Sequence, residues 1–412
     1  MLQIYIIVKM NNNNRIYRKQ YFDRVEPYIG DRLIKVLTGQ RRVGKSFVLF
    51  QLMDEIEKRN PGAEIIYINK EEYQFDYIRD YNDLAVYVES VKRPDGIACL
   101  FIDEVQEITG FEKALRSFQT SGKFDIYVTG SNATLLSGEL ASLLSGRYIQ
   151  IKIYSLSYNE YLLFHKLEDS DESLQEYILY GGMPHLINLR KDERVYYEYL
   201  KNILDTIVLR DIVARFKVRN VSFLKDLIKF LADNTGSMLS AKSISDYLKA
   251  QKINLLPKTI LEYLFFIESV FFVEQVKRAD VSGKKIFETG GKFYFEDLGM
   301  RHSLLSYQQK DIGKVLENLV FHHLKTKGYS VFVGKDGEKE IDFIAEKPNE
   351  KRYIQVAYII QDEKAHEREF GNLLRINDNY PKMVISMDPI ESKGYKGIEH
   401  WTVRRFLREF GE

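Results

Sequence analysis

The octapeptide Gly39-Gln40-Arg41-Arg42-Val43-Gly44-Lys45-Ser46 matches G-x-x-x-x-G-K-[ST] at every fixed position, and it follows an apolar run and precedes a helical pattern. Glycines let such a loop wind tightly enough for successive backbone N–H groups to face phosphate oxygens, and the next helix adds its positive N-terminal end. The phosphate-binding set is therefore Gly39, Gln40, Arg41, Arg42, Val43, Gly44, Lys45, Ser46 and Phe47. Lys45 is expected to reach the β and γ phosphates of ATP, and the Ser46 hydroxyl to bind Mg²⁺, a hard cation that seeks oxygen. For Arg41 and Arg42, phosphate contact and plain solvated charge are both open.

Such a loop requires a strand before it and a sheet around it. From Arg32 to about Ser157, short β-rich runs alternate with helical patterns, the signature of an α/β fold. Strands are expected at 33–37, 64–69, 98–102, 124–129 and 148–154. Their near-continuous apolar character suits a parallel sheet buried on both faces.

The third of these strands ends in acid: Cys99-Leu100-Phe101-Ile102-Asp103-Glu104. Beside a phosphate loop, Asp103 is expected to help hold Mg²⁺ and Glu104 to orient and deprotonate the attacking water. Two solvated carboxylates at a strand end are the alternative. The fourth strand runs into Gly130-Ser131-Asn132, where Ser131 or Asn132 could sense the γ-phosphate or position water, or cap a turn. Arg147, at the start of the fifth strand, is a candidate arginine finger on its own or a neighbouring subunit's nucleotide, with a surface arginine as the alternative.

Length and composition bound the rest. At 412 residues, two to four domains are expected. Lysine plus arginine (60) nearly equals aspartate plus glutamate (59), so contact with nucleic acid or anionic lipid must come from a local patch. A single cysteine, Cys99, excludes an internal disulfide framework and fits a reducing compartment, so the cytoplasm is expected. The apolar run Ile4 to Val8 is short and is followed by no cleavage-site chemistry, which argues against a signal peptide. Met10, before the run Asn11 to Asn14, reads as the natural start, with Met1 to Lys9 an upstream extension. No stretch approaches the roughly 18 apolar residues of a membrane span, so no membrane partner is expected.

Beyond the sheet, 174–230 reads as helical, broken at Gly181-Gly182-Met183-Pro184. Helices at 240–250 and 257–268, then strands at 270–276 and 285–295 around Ser282-Gly283, give the order of a winged helix. The last stretch opens with an amphipathic helix through Leu316, Leu319, Val320 and Leu324 and continues with strands at 330–333, 341–345 and 353–359, a third small α/β unit.

Taken together, the phosphate loop, Phe101-Ile-Asp-Glu-Val-Gln, Thr129-Gly-Ser-Asn, Leu144-Ser-Gly-Arg147 and Tyr180-Gly-Gly-Met-Pro make the chain resemble the AAA+-related archaeal and bacterial P-loop ATPases, over nearly its whole length. The resemblance implies an ATPase domain, a helical region, a winged helix and a C-terminal domain similar to the PD-(D/E)XK nucleases. A site of that last kind needs an acid on a helix, an aspartate on a strand and acid-x-lysine on the next strand, because carboxylates hold Mg²⁺ while lysine supports the water nucleophile. Glu317 and Asp342 stand at the first two places, but the third segment reads Ile354-Gln355-Val356-Ala357. Lys335 and Lys339 are candidate substitutes for the lost amine. A degenerate binding or structural domain is the expectation, ahead of an active nuclease.

DNA contact by the winged helix would use the 243–248 and 258–266 segments with Arg278, Lys284 and Lys285. Phe265, Phe266, Phe271 and Phe272 read as core. The seven histidines, His322-His323 included, show no ligand spacing, so no transition-metal site is expected. The fold class expected is α/β, with a P-loop NTPase domain at 15–165, a helical connector at 166–222, a winged helix at 223–305 and a nuclease-like domain at 306–412. The leading function is a Mg²⁺-dependent ATPase that moves its C-terminal domains on DNA. A slow nucleotide switch acting through a protein partner and an ATP-gated DNA nuclease remain open, as does a homo-oligomer.

Overall fold

The computed structural model describes residues 16–133, 144, 146–281, 290–360, 363–389 and 394–411. The suggested start at Met10, Ser145, the turn Ser282-Gly283, Lys284 and Lys285 lie outside the described residues. The chain divides into two compact units, 1–154 with 269–271, and 155–268 with 272–412.

The first unit is built on β1 (Ile34–Thr38), β2 (Glu64–Asn69), β3 (Ala98–Asp103), β4 (Phe124–Gly130) and β5 (Tyr148–Lys152). All pair in parallel, in the order β2-β3-β4-β1-β5. Parallel strands need crossovers, and among the described residues three helices supply the first three: α2 (Lys45–Arg59), α3 (Tyr81–Val91) and α4 (Phe111–Ser121). A short helix, α1 (Lys19–Val25), precedes the sheet. β1, β3 and β4 are buried at every residue, as the apolar runs require, and pack with Leu84, Val88, Leu115 and Phe118 in one core. β1, β3 and β4 lie side by side, so the loops leaving their C-terminal ends are brought to one edge of the sheet.

The second unit begins with α5 (Tyr158–His165), α6 (Asp171–Tyr180), α7 (Glu193–Thr206) and a π-helical stretch, Ile207–Ala214. The first unit ends at Tyr154, before the expected boundary at 165, because Tyr158, Tyr161 and Leu162 of α5 are core residues of the second. Next come α8 (Val221–Asp233), β6 (Met238–Leu239), α9 (Ala241–Ala250), α10 (Pro257–Ser269), β7 (Val273–Asp280) and β8 (Gly291–Phe295). Ser240 caps α9, its hydroxyl accepting from the Ser243 N–H at 3.0 Å. Helix, strand, helix, helix and antiparallel hairpin succeed one another, with β6 added antiparallel to β8.

Finally come α11 (Leu298–Leu304), α12 (Ile312–Thr326), β9 (Ser330–Asp336), β10 (Lys339–Lys347), β11 (Glu350–Val356), α13 (Glu363–Leu374), β12 (Lys382–Ser386), β13 (Glu399–Thr402) and α14 (Val403–Glu409). The hairpin and the last α/β segment are not separate sheets. β7 pairs β8 through residues 273–277, then turns its last three residues to β9, in parallel, so that eight strands are linked as β13-β12-β11-β10-β9-β7-β8-β6. Pairing removes an open edge that an isolated hairpin would leave unsatisfied. Among the described residues, no helix is long and apolar enough to cross a membrane. Phe271 and Phe272 are core as expected, but Phe265 is 51% exposed, because it lies on the outer face of α10.

Candidate active site

The phosphate loop leaves β1 after Thr38 and enters α2 at Lys45. Its path disfavours a side chain at two points, for different reasons. A Cβ on Gly39 would lie 2.2 Å from the Ile153 carbonyl oxygen, and Gly44, at the helix N-cap, takes a left-handed backbone, φ +97°. Arg42 also takes a left-handed backbone, φ 71°, with its side chain exposed. Gln40 and Val43 are fully buried, and Phe47 projects outward, 56% exposed. Arg41 is buried, with its guanidinium donating to Glu71 Oε1 at 2.9 Å.

Lys45 is held inside the loop. Its ammonium group donates to the carbonyls of Gly39 and Gln40, each at 3.2 Å, and lies 3.4 Å from Glu104 Oε1. Asp103, at the end of β3, is 2% exposed and hydrogen-bonds the hydroxyls of Ser46 and Thr129. Burial pushes its carboxyl above the ordinary range, and those two hydroxyl bonds oppose the shift. A buried carboxylate beside a serine hydroxyl is a pair of hard oxygen donors that fits Mg²⁺.

Glu104 takes a left-handed backbone, φ 56°, and its N–H donates to Thr129 Oγ1 at 2.9 Å. Its carboxylate accepts from Ser131 Oγ at 3.0 Å and from Gln106 Nε2. Burial raises its pKa, but Lys45, Gln106, Arg41 and Ser131 outweigh that and hold it down to about 2. Glu104 is thus an ionised base, restrained by donors from β4 and from the turn after β3.

Of the two candidates after β4, Ser131 reaches Glu104, while Asn132 is fully buried beside it in sequence. Arg147 is not brought to the loop. Its carbonyl accepts from the Ile34 N–H at 2.9 Å, at the start of β1, whereas the loop begins after Thr38. Four residue steps of strand, roughly 13 Å, separate these ends, so in its own subunit Arg147 lies at the wrong edge of the sheet. Sequence reasoning also missed Arg18. It is 2% exposed and donates to the Val43 carbonyl in the loop at 2.8 Å and to the Tyr154 carbonyl at 3.0 Å. An arginine in a polar stretch carries no signal of this.

In the second unit Glu317 and Asp342 do meet, through a residue not anticipated. Lys292 of β8 is 3% exposed, and its ammonium group lies 2.9 Å from Glu317, 3.0 Å from Glu340 and 3.5 Å from Asp342. Those carboxylates raise the lysine pKa above its ordinary value against the effect of burial. Burial and the Asp342 charge push Glu317 up to about 7, against Lys292 and Tyr294. Lys335 and Lys339 instead line a cavity of about 300 Å³ with Arg278 and Glu340. Lys292 had one sequence signal, a lysine inside the apolar strand Gly291–Phe295.

A phosphate loop after β1 closing on two acids at the end of β3, with β4 between the two strands, defines the first unit as a P-loop ATPase domain of the AAA type, and residues 31–162 match the AAA domain family. Residues 171–311 match a domain of unknown function, DUF8612. The chain belongs to the same family as an uncharacterized protein of Haemophilus influenzae, to which it is 38% identical over 93% of this chain and 96% of that protein. The uncharacterized protein MJ1544 of Methanocaldococcus jannaschii is 32% identical, over 89% of this chain and 85% of that protein. Among solved structures, the Aeropyrum pernix ORC1 protein in complex with DNA is 13% identical, covering 71% of this chain and 93% of its own, with a TM-score of 0.33. The replication initiator DnaA bound to AMPPCP and single-stranded DNA is 17% identical, covering 62% and 90%, with a TM-score of 0.32. Likeness at that level carries no functional argument.

Proposed function

We propose that the chain is a Mg²⁺-dependent ATPase whose turnover moves residues 155–412, with DNA as the substrate of that movement. The observation that carries the reading is the convergence of Lys45, Ser46, Asp103 and Glu104 at one edge of the parallel sheet. The loop amides and Lys45 bind the β and γ phosphates, and Ser46 with Asp103 holds Mg²⁺. The ion supplies neutralising charge to the phosphate oxygens. Glu104 takes the proton of the attacking water, and Ser131 and Gln106 orient its carboxylate. Arg147 is left to a neighbouring subunit's nucleotide or to the surface.

For DNA, the supporting feature is a set of exposed lysines close in sequence, in a chain of near-zero net charge. Lys242 and Lys249 of α9, Lys252 after it and Lys258 at the start of α10 are all exposed. The order of α8, β6, α9, α10, β7 and β8 supports the winged-helix reading of this region. The nuclease-like reading of α12, β10 and β11 is kept for its pattern, without the cleavage chemistry that Gln355 and Ala357 remove. The test is steady-state ATP hydrolysis with and without duplex and single-stranded DNA at two salt concentrations. Salt-sensitive stimulation supports a DNA-coupled ATPase, and no stimulation in either salt counts against DNA.

A second reading, a slow nucleotide switch acting through a protein partner, has one observation in its favour. Glu104 already accepts from two donors and faces Lys45, so it must exchange partners before it can act as a base. Tightly bound nucleotide after purification, with negligible turnover, supports that reading.

A further inference from the structure

We propose that the ammonium group of Lys292 is the resident cation of the Glu317–Glu340–Asp342 centre, standing in for the divalent metal ion that a nuclease of this pattern would carry. The inference rests on the nuclease-like reading only for where a metal would be sought, and not on the ATPase assignment.

Three elements supply the carboxylates and the cation. Glu317 comes from α12, Glu340 and Asp342 from β10, and Lys292 from β8, and the ammonium group lies within 3.5 Å of all three acids. The remaining lone pairs are partly used by the protein itself. Glu317 Oε2 also accepts from the Tyr294 hydroxyl at 2.9 Å, and Asp342 Oδ2 accepts from the Val356 N–H at 2.9 Å. A divalent ion would have to take these oxygens from donors already in place.

Lys292 cannot easily step aside. It sits in a strand buried at all five residues, and a buried ammonium group without its carboxylates is strongly disfavoured. The buried pair Glu317 and Asp342 needs the lysine for the same reason, since two close carboxylates without a cation repel one another in a low-dielectric surrounding. Glu340 is partly exposed and has a second cation, the Arg278 guanidinium at 3.3 Å.

The residue types at the other positions agree. The third acidic place is taken by Gln355, which stands across β10 and β11 from Asp342 and is 8% exposed. Its Oε1 has no hydrogen-bond partner, while the side chain hydrogen-bonds Glu369. A neutral amide adds no charge to attract a metal, and Ala357 leaves no amine to support a nucleophile. Among the described residues, no group of three or more acids, histidines or cysteines is arranged to hold a metal ion. With Lys292 in place the centre fits a fixed internal cation and not a divalent one.

The test is Mn²⁺ binding, read by electron paramagnetic resonance on nucleotide-free full-length protein, for wild type, Asp342→Asn, Lys292→Met and Lys292→Met/Asp342→Asn. Wild type and Asp342→Asn are expected to bind the same number of ions, Lys292→Met one more, and the double variant to lose that extra ion. The melting temperature of Lys292→Met is expected to fall and to recover with Mn²⁺, while that of wild type does not move. A wild-type ion that Asp342→Asn abolishes overturns the proposal, and so does a folded Lys292→Met with no extra ion. If Lys292→Met does not fold, the comparison of wild type with Asp342→Asn decides alone. Nucleotide is absent throughout, so failure here is distinguishable from failure of the ATPase reading.

Discussion

The ammonium group of Lys45 lies 3.4 Å from the carboxylate of Glu104, so the residue that is to bind phosphate is paired with the residue that is to activate water. Both are buried, and each satisfies the other's charge at a cost in desolvation that either alone would find hard to bear. On the proposed mechanism an incoming triphosphate is expected to draw Lys45 away from Glu104, which would couple binding to activation through a single contact. The left-handed backbone at Glu104, φ 56°, is the kind of local strain that marks functional positions.

Arg18 braces the phosphate loop from outside the motif. Arg18→Ala removes the donors to the Val43 and Tyr154 carbonyls and is expected to destabilise the first unit by about 2–4 kcal/mol. Arg18→Lys is expected to recover little, because one ammonium group cannot reproduce the forked geometry. Thermal melts with and without ATP check this, and a wild-type melting curve for Arg18→Ala contradicts it.

DNA contact through α9 and α10 has a salt signature. Replacing Lys242, Lys249, Lys252 and Lys258 by alanine is expected to weaken duplex binding and to flatten the log–log salt dependence by about 0.9 for each phosphate that is no longer neutralised. Fluorescence anisotropy at several salt concentrations measures the slope. Undiminished binding and slope place any DNA surface elsewhere.

Stability of the second unit should carry the mark of Asp297. This N-cap of α11 accepts from the N–H groups of Gly182 and Met300, and burial, with the charge of Glu296, raises its carboxyl to about 6. In the unfolded chain the group titrates near 3.8. Between these values the folded state binds the proton and the unfolded state does not, so stability falls as pH rises through the window, by about 3 kcal/mol in all. His302, lowered to about 4 chiefly by burial, contributes in the opposite sense but is common to both proteins compared. Asp297→Asn is expected to be less stable overall yet to lose this slope. Denaturant midpoints at pH 4, 5, 6 and 7 test it, and parallel pH profiles for the two proteins contradict it.

Much of the first unit was legible because its chemistry is local. Buried parallel strands write apolar runs, and β1 to β4 fall within a residue of their expected places, as the runs around Val36 and Leu100 require. β5 stops at Lys152, two residues short. The loop and its two acids were equally readable, since the motif lies between an apolar run and a helical pattern and the acids end an apolar run. What was not legible depends on contacts distant in sequence. Thr129 and Ser131 reach Asp103 and Glu104 only because β3 and β4 are neighbours. For Arg147 the structure bears only on the choice of its own subunit's loop, since a motif gives no indication of which end of a strand faces the loop. Lys292 meets Glu317 and Asp342 through a sheet in which β7 changes partner along its length, a pairing that no local pattern announces.

The most direct test of the ATPase account is phosphate release from ATP, measured beside ATP binding, for wild type, Lys45→Ala and Glu104→Gln with Mg²⁺. The account predicts that Lys45→Ala loses binding, whereas Glu104→Gln binds as wild type does and turns over about 100-fold more slowly or worse. Hydrolysis retained at wild-type rates in both variants would contradict it.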